Sequence, residues 1–126
     1  EFTHLNRLSS KFGIRFNHVS LHPVINRDWE MGAVKALPDH PLFKGVSKIY
    51  IKEVSDIELS KNAKAILTEN GKVLMAETVF GKGYVFAIGD PWIYNEYIDH
   101  ALLPESFENL KAAKNLTDLL LGKVKK

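Results

Sequence analysis

The chain has 126 residues, 45% of them hydrophobic and 25% charged, with 17 Lys and Arg against 15 Asp and Glu for a formal net charge of +2, and no cysteine. That length points to one α/β-sized domain spanning 1–126, and the balance is that of an ordinary folded soluble chain rather than a disordered one. The missing thiol excludes disulfide frameworks, thiolate zinc sites and cysteine nucleophiles together. Three of the cations, Lys123, Lys125 and Lys126, sit in the last four positions. No basic stripe interleaved with aromatics occurs elsewhere, so nucleic acid is not an expected partner. No run approaches the roughly 18 apolar residues of a membrane span, and Glu1-Phe2-Thr3-His4 lacks the basic-then-apolar pattern of a signal peptide. The absence of an initial methionine fits a processed product or an excised piece.

In chain order, Phe2, Leu5, Leu8 and Phe12 recur at helical spacing, and Gly13 supplies a C-terminal stop. Ile14-Arg15-Phe16 alternates as a short strand. From Asn17 to Asp39 the pattern is irregular, with a short helix around Trp29 to Val34. His40 to Val46 reads as a turn and one helical turn leading into a strand. Lys48 to Val54 alternates as a strand with one polar face, whereas Ile57 to Leu59 is too short to assign. Ala65 to Thr68 is a strand closed by Asn70-Gly71, a favoured hairpin turn.

Lys72 to Phe80 and Tyr84 to Gly89 then pair across Gly81-Lys82-Gly83, because glycine reaches positive φ without steric penalty. The run Tyr84 to Ile88 reads as a strand buried on both faces, with Val85 and Ile88 inaccessible to solvent. It ends in Gly89-Asp90-Pro91, a breaker that sets a carboxylate just past the strand's carboxyl end, where open α/β sheets collect ligands. Beyond the loop, Phe107, Leu110, Ala113, Leu116, Thr117, Leu120 and Leu121 trace a helix face. Ser106 is its expected N-cap, and Gly122 its end.

The loop from Asp90 to His100 carries the densest chemistry. Asp90, Glu96 and Asp99 alternate with Trp92, Tyr94 and Tyr97, as in a sugar site where two carboxylates act as acid and base and aromatics as platforms. The alternative is that Asp90 caps backbone amides while the aromatics pack the loop down. The candidate binding residues are therefore Asp90, Trp92, Tyr94, Asn95, Glu96 and Tyr97, on a loop too apolar for a plain connection. His18 and His22 stand four apart, but Pro23 interrupts any helix that would align them, so no metal and no other cofactor is expected. Ser9, Ser10 and Ser106 lack a glycine-framed elbow. Gly81-Lys82-Gly83 joins strand to strand and is no phosphate loop.

Three stretches together are similar to a known family: Glu1 to Leu8 followed by Phe12-Gly13-Ile14; His40-Pro41-Leu42-Phe43-Lys44-Gly45-Val46; and Gly81-Lys82-Gly83 through Asp90-Pro91-Trp92 and Tyr94-Asn95-Glu96-Tyr97. They resemble the glutamine-amidotransferase-like (flavodoxin-like) domain at the C-terminus of some bacterial unsaturated glucuronyl and rhamnogalacturonyl hydrolases, found mostly in gut and soil Bacteroidetes. The resemblance implies an α/β sheet with flanking helices and a C-terminal β-hairpin followed by a helix, entered after an early strand and so N-terminally incomplete. It implies a non-catalytic accessory domain of a polysaccharide-degrading hydrolase, periplasmic or extracellular. Its expected partners are the catalytic (α/α)6 barrel of the same protein and a plant-derived oligosaccharide, and a homo-oligomer is compatible with it. No catalytic residue carries over, since catalysis in that family belongs to aspartates of the barrel. The rival expectation is a small stand-alone glycoside hydrolase using Asp90 and Glu96.

Overall fold

The computed structural model describes residues 2–95, 97, 98 and 100–124, with Trp92 described by its backbone alone. The chain is mixed α/β and forms two compact units, Glu1–Leu21 with Val54–Gly89, and His22–Glu53 with Asp90–Lys126.

The first unit starts with α1 (Thr3–Ser9), a 3₁₀ turn at Ser10–Phe12, and β1 (Ile14–Phe16). Gly13 stops the helix in the left-handed region at φ 79°, as its position in the sequence leads one to expect. The unit continues with β4 (Ile57–Leu59), β5 (Lys64–Glu69), β6 (Lys72–Phe80) and β7 (Gly83–Ile88). These five strands form an antiparallel sheet in the order β1-β4-β6-β5, with β7 also paired to β6. Both anticipated hairpins are present. Asn70 and Gly71 take φ 49° and 74°, the two positive values a type I′ turn needs, and Gly81 takes φ 59° between Phe80 and its partner Gly83. Ile14, Ile57, Ala76 and Ala87 make the core of the sheet, with Phe12, Phe16, Val73 and Val85 packed around it.

Three expectations for this unit need correction. Leu5 and Leu8 are 44% and 58% exposed, and the buried residue of α1 is Ser9. The face that meets the sheet is Phe2, Asn6 and Ser9, because the Asn6 amide donates to the Phe16 carbonyl at 2.9 Å and accepts from the Phe16 N–H at 2.8 Å. Those two bonds turn the helix about 100° away from the apolar stripe. Val85 and Ile88 are only half-buried, and in β7 Ala87 alone is buried. Among the described residues β7 pairs only with β6, so no described strand covers its second side. The sheet is antiparallel, so the ligand rule for the carboxyl ends of parallel strands does not apply to Asp90. Ile57 to Leu59, too short to assign by pattern, is a strand because β1 and β6 flank it.

In the second unit β2 (Ala33–Val34) pairs with β3 (Ile49–Tyr50), and α2 (Asn109–Val124) packs on β3 and on the 3₁₀ turns Pro41–Phe43 and Pro91–Ile93. The helix expected near Trp29 to Val34 is a 3₁₀ turn at Trp29–Gly32 running straight into β2. The strand expected from Lys48 to Val54 is reduced to a strand at Ile49–Tyr50 and an isolated β-bridge from Val54 to Leu21, and Ile49, Tyr50 and Ile51 are all buried, so the strand has no polar face. His40 Nδ1 accepts the Leu42 N–H at 3.1 Å and caps the Pro41 turn.

The last helix begins at Asn109 rather than after Ser106, and it continues through Gly122. Its buried face is Asn109, Ala112, Ala113 and Leu116, and Leu121 is 51% exposed. The register follows Asn109. Its amide accepts the Tyr50 N–H at 2.7 Å and donates to the Tyr50 carbonyl at 2.8 Å, which holds helix and strand together.

Glu108, just before the helix, accepts both the N–H and the hydroxyl of Ser47, at 2.8 and 2.7 Å. These bonds, with Lys111 nearby, hold its carboxyl below the ordinary 4.5. A depressed folded-state pKa adds stability that is present above the unfolded value and is lost as pH falls through the folded one. Glu108→Gln is therefore expected to lower stability by about 1 kcal/mol near neutral pH. The urea midpoints of the two proteins should converge as the pH falls below the ordinary carboxylate range and through the lowered pKa of Glu108. A gap that stays constant over that range would show that the charge is not what Ser47 holds.

Candidate functional site

Of the six residues singled out in the loop after β7, the four whose side chains the structure describes, Asp90, Tyr94, Asn95 and Tyr97, do not converge on one point. Asp90 is 4% exposed, and its Oδ2 accepts the Lys52 N–H at 2.8 Å. It anchors the start of the loop to the segment after β3, the capping role weighed for it on sequence. Pro91–Ile93 form a 3₁₀ turn closed by Tyr94 N–H on the Pro91 carbonyl at 2.8 Å, with Ile93 buried. Asn95 Oδ1 accepts the Tyr97 N–H at 3.0 Å, a local Asx-type turn that explains an asparagine there. The Trp92 side chain and Glu96 lie outside the described residues, as does Asp99.

Tyr97 points into an aromatic cluster with Trp29 (5.8 Å between ring centroids) and Tyr50 (6.2 Å). Tyr50 in turn meets Trp29 at 5.4 Å and Phe107 at 5.7 Å, both edge to face. Such pairs add about 0.5–1.5 kcal/mol beyond their area. Burial, with Tyr97, Asp90 and Glu53 nearby, raises the Tyr50 hydroxyl to about 12, so it stays protonated at any physiological pH. Lys48 Nζ stands 4.0 Å above the Phe107 ring while pairing with Glu30 at 2.6 Å. The cluster is core, and Tyr97 belongs to it.

Tyr94 is different. It is 53% exposed, and its hydroxyl lies 3.0 Å from Thr117 Oγ1 and 3.3 Å from the Ala113 carbonyl of α2. The tethered ring forms one wall of an open groove of about 390 Å³, with Ile98 beside it and Leu110, Lys114, Thr117 and Asp118 of α2 opposite. Apolar atoms make up most of the lining, and Lys114 and Asp118 supply one cation and one anion at the rim. Leu110 and Thr117 were read as part of one helix face. Lys114 and Asp118 carried no signal, because only the return of the loop onto α2 makes them neighbours of Tyr94.

The first unit has its own cleft of about 510 Å³, between α1 and the end of β1, lined by Phe2, Thr3, Asn6, Arg15, Phe16 and His18. Phe2 meets Phe16 and His18 edge to face at 6.4 and 5.6 Å. Sequence reasoning weighed His18 only as a metal ligand. Among the described residues no three His, Asp or Glu side chains converge to hold an ion.

The chain matches no protein-family model, no curated protein and no solved structure.

Proposed function

We propose that this chain is a non-catalytic accessory domain of a polysaccharide-degrading glycoside hydrolase, and that its groove between Tyr94 and α2 is a contact surface for a sugar ring. The observation that carries this reading is the Tyr94 ring, which is exposed on one side and held in place by its hydroxyl. A pyranose presents an apolar C–H face that packs on an aromatic ring, and its hydroxyls need polar groups at the edge. Ile98 and Leu110 extend the apolar wall, while Lys114 and Asp118 offer a donor and an acceptor. The resemblance of the Gly-Lys-Gly hairpin, Gly-Asp-Pro-Trp and Tyr-Asn-Glu-Tyr supports the same class of parent protein. The Asp90 carboxylate is buried on a backbone amide, which favours an anchoring role over that of a catalytic acid or base.

The test is calorimetric titration with pectin- and glycosaminoglycan-derived oligosaccharides, run beside an absorbance assay for loss of the uronyl double bond. Binding is expected without turnover, weakened at least about tenfold by Tyr94→Ala, with an unchanged circular dichroism spectrum. Steady turnover abolished by Asp90→Asn would overturn the proposal in favour of a stand-alone hydrolase. Binding to a barrel-containing fragment, lost in Tyr94→Ala and with no sugar bound, would reassign the groove to the catalytic domain.

A further inference from the structure

The cleft between α1 and the end of β1 joins a fixed wall to a set of polar side chains that are left unused. The wall is fixed by Asn6, whose amide holds both backbone groups of Phe16 at 2.9 and 2.8 Å. Phe2 packs edge to face on Phe16 and on His18, at 6.4 and 5.6 Å between ring centroids. The backbone beyond Phe16 is also held, since the Asn17 N–H donates to the Asp56 carbonyl at 2.9 Å. Thr3, Arg15, Asn17 and His18 line the same cleft. None of these four side chains makes a hydrogen bond or an ion pair with a described residue. Arg15 stands opposite Glu58 in the β1–β4 register, yet the two form no ion pair.

Polar groups without partners beside aromatic carbon are what a small polar ligand requires, and the volume of about 510 Å³ is ample for one. The composition of the set narrows the ligand. Arg15 is the only lysine or arginine among the described lining residues, and no aspartate or glutamate is among them. One guanidinium matches one negative charge, and its planar fork fits the two oxygens of a carboxylate. A phosphate dianion would keep half its charge uncompensated. The Thr3 hydroxyl, the Asn17 amide and the His18 ring supply neutral donors and acceptors. Phe2 and Phe16 supply apolar surface for a ring.

We propose that this cleft is a binding site for a small monocarboxylate carried on a ring, with the carboxylate on Arg15 and the ring against Phe2 and Phe16. Thr3, Asn17 and His18 hydrogen-bond the ring's substituents. An acidic sugar and an aromatic acid both present this chemistry. The site lies within the first unit and uses no residue of the Tyr94 groove, so it stands whether or not that groove binds sugar. A ligand of this size held by one charge and a few neutral groups binds weakly, at about millimolar.

The test is an NMR titration of the full chain with galacturonate and with benzoate. Galactose and benzamide serve as their neutral counterparts, and inorganic phosphate as a competing anion. At least one of the two acids should bind at about millimolar, at least about tenfold more tightly than its neutral counterpart and than phosphate. The largest amide shifts should fall at Thr3, Arg15, Asn17 and His18. Binding of galacturonate names the source as an acidic sugar, and binding of benzoate as an aromatic acid. Arg15→Gln should weaken binding at least about tenfold, and His18→Ala should weaken it by a smaller factor. Both positions are exposed, so the circular dichroism spectrum should not change. Arg7→Gln, at an exposed cation of α1 that does not line the cleft, should leave binding unchanged. Failure of both acids to bind, equal binding of the neutral counterpart or of phosphate, or full affinity in Arg15→Gln would each overturn the proposal.

Discussion

Replacing Asn109 by leucine will destabilise the protein by about 3–5 kcal/mol. Leucine fits the volume, so the loss is chemical rather than steric. Asn109 is fully buried and is bonded to both backbone groups of Tyr50, at 2.7 and 2.8 Å. Tyr50 itself is 1% exposed, so neither group reaches water when the amide is removed. Each buried backbone group left unpaired costs about 1–3 kcal/mol. Asn109→Asp separates the two bonds: it keeps the acceptor for the N–H but turns a carboxylate oxygen toward the Tyr50 carbonyl, and it should destabilise as well. Urea unfolding followed by far-ultraviolet circular dichroism measures both. A loss below about 1 kcal/mol for the leucine variant would mean that Tyr50 finds other partners and that the clamp does not set the register of α2.

Gly89→Ala is expected to be at least as damaging, for a steric reason. A Cβ at Gly89 would stand 1.8 Å from the Ser55 carbonyl oxygen, 2.8 Å from its carbon and 3.0 Å from the Ser55 nitrogen. All three are backbone atoms, so no side-chain rotation relieves the contact. The Ser55 segment would have to move, with the buried Val54 and Ile57 on either side of it. The bond from Ser55 N–H to the Gly89 carbonyl would be lost with it. We expect a loss of about 3 kcal/mol or more, or failure to fold. Gly122→Ala is the matched control. A Cβ there meets nothing within 4 Å, and the position is inside α2. Alanine in a helix interior gains about 0.5–1 kcal/mol over glycine. Thermal melts of the two variants should therefore shift in opposite directions. Equal shifts would show that the Ser55 contact is not tight.

The loop after β7 shows why the candidate site was only partly legible. Its composition marked it correctly as a segment that packs, and Ile93 and Tyr97 do pack. Composition could not divide it, however. Tyr94 and Tyr97 are three residues apart and chemically alike, yet one faces a groove and the other the Trp29–Tyr50 cluster. The difference is made by partners distant in sequence, Thr117 for Tyr94 and Trp29 for Tyr97. Asp90 looked like a candidate acid because it follows a strand. It is an anchor because the Lys52 amide meets it there.

Features set by a few consecutive residues were determined by the sequence alone. The stop at Gly13, the Asn70-Gly71 and Gly81-Lys82 reversals and the long β6–β7 hairpin all follow from local φ preferences and turn chemistry, which do not depend on what lies across the sheet. Burial was decided by the tertiary structure. Leu5 and Leu8 face out and Asn6 faces in because two hydrogen bonds to the edge of β1 outweigh an apolar stripe on a two-turn helix. Asn109 takes the innermost place on α2 for the same reason, at Tyr50. Ile57 to Leu59 is a strand because of its neighbours, and Val85 stays half-buried in a strand that pairs, among the described residues, on one side only. Periodicity records which residues prefer to leave water, whereas the backbone groups that must be paired, and the segments that pair them, are known only once the chain has folded.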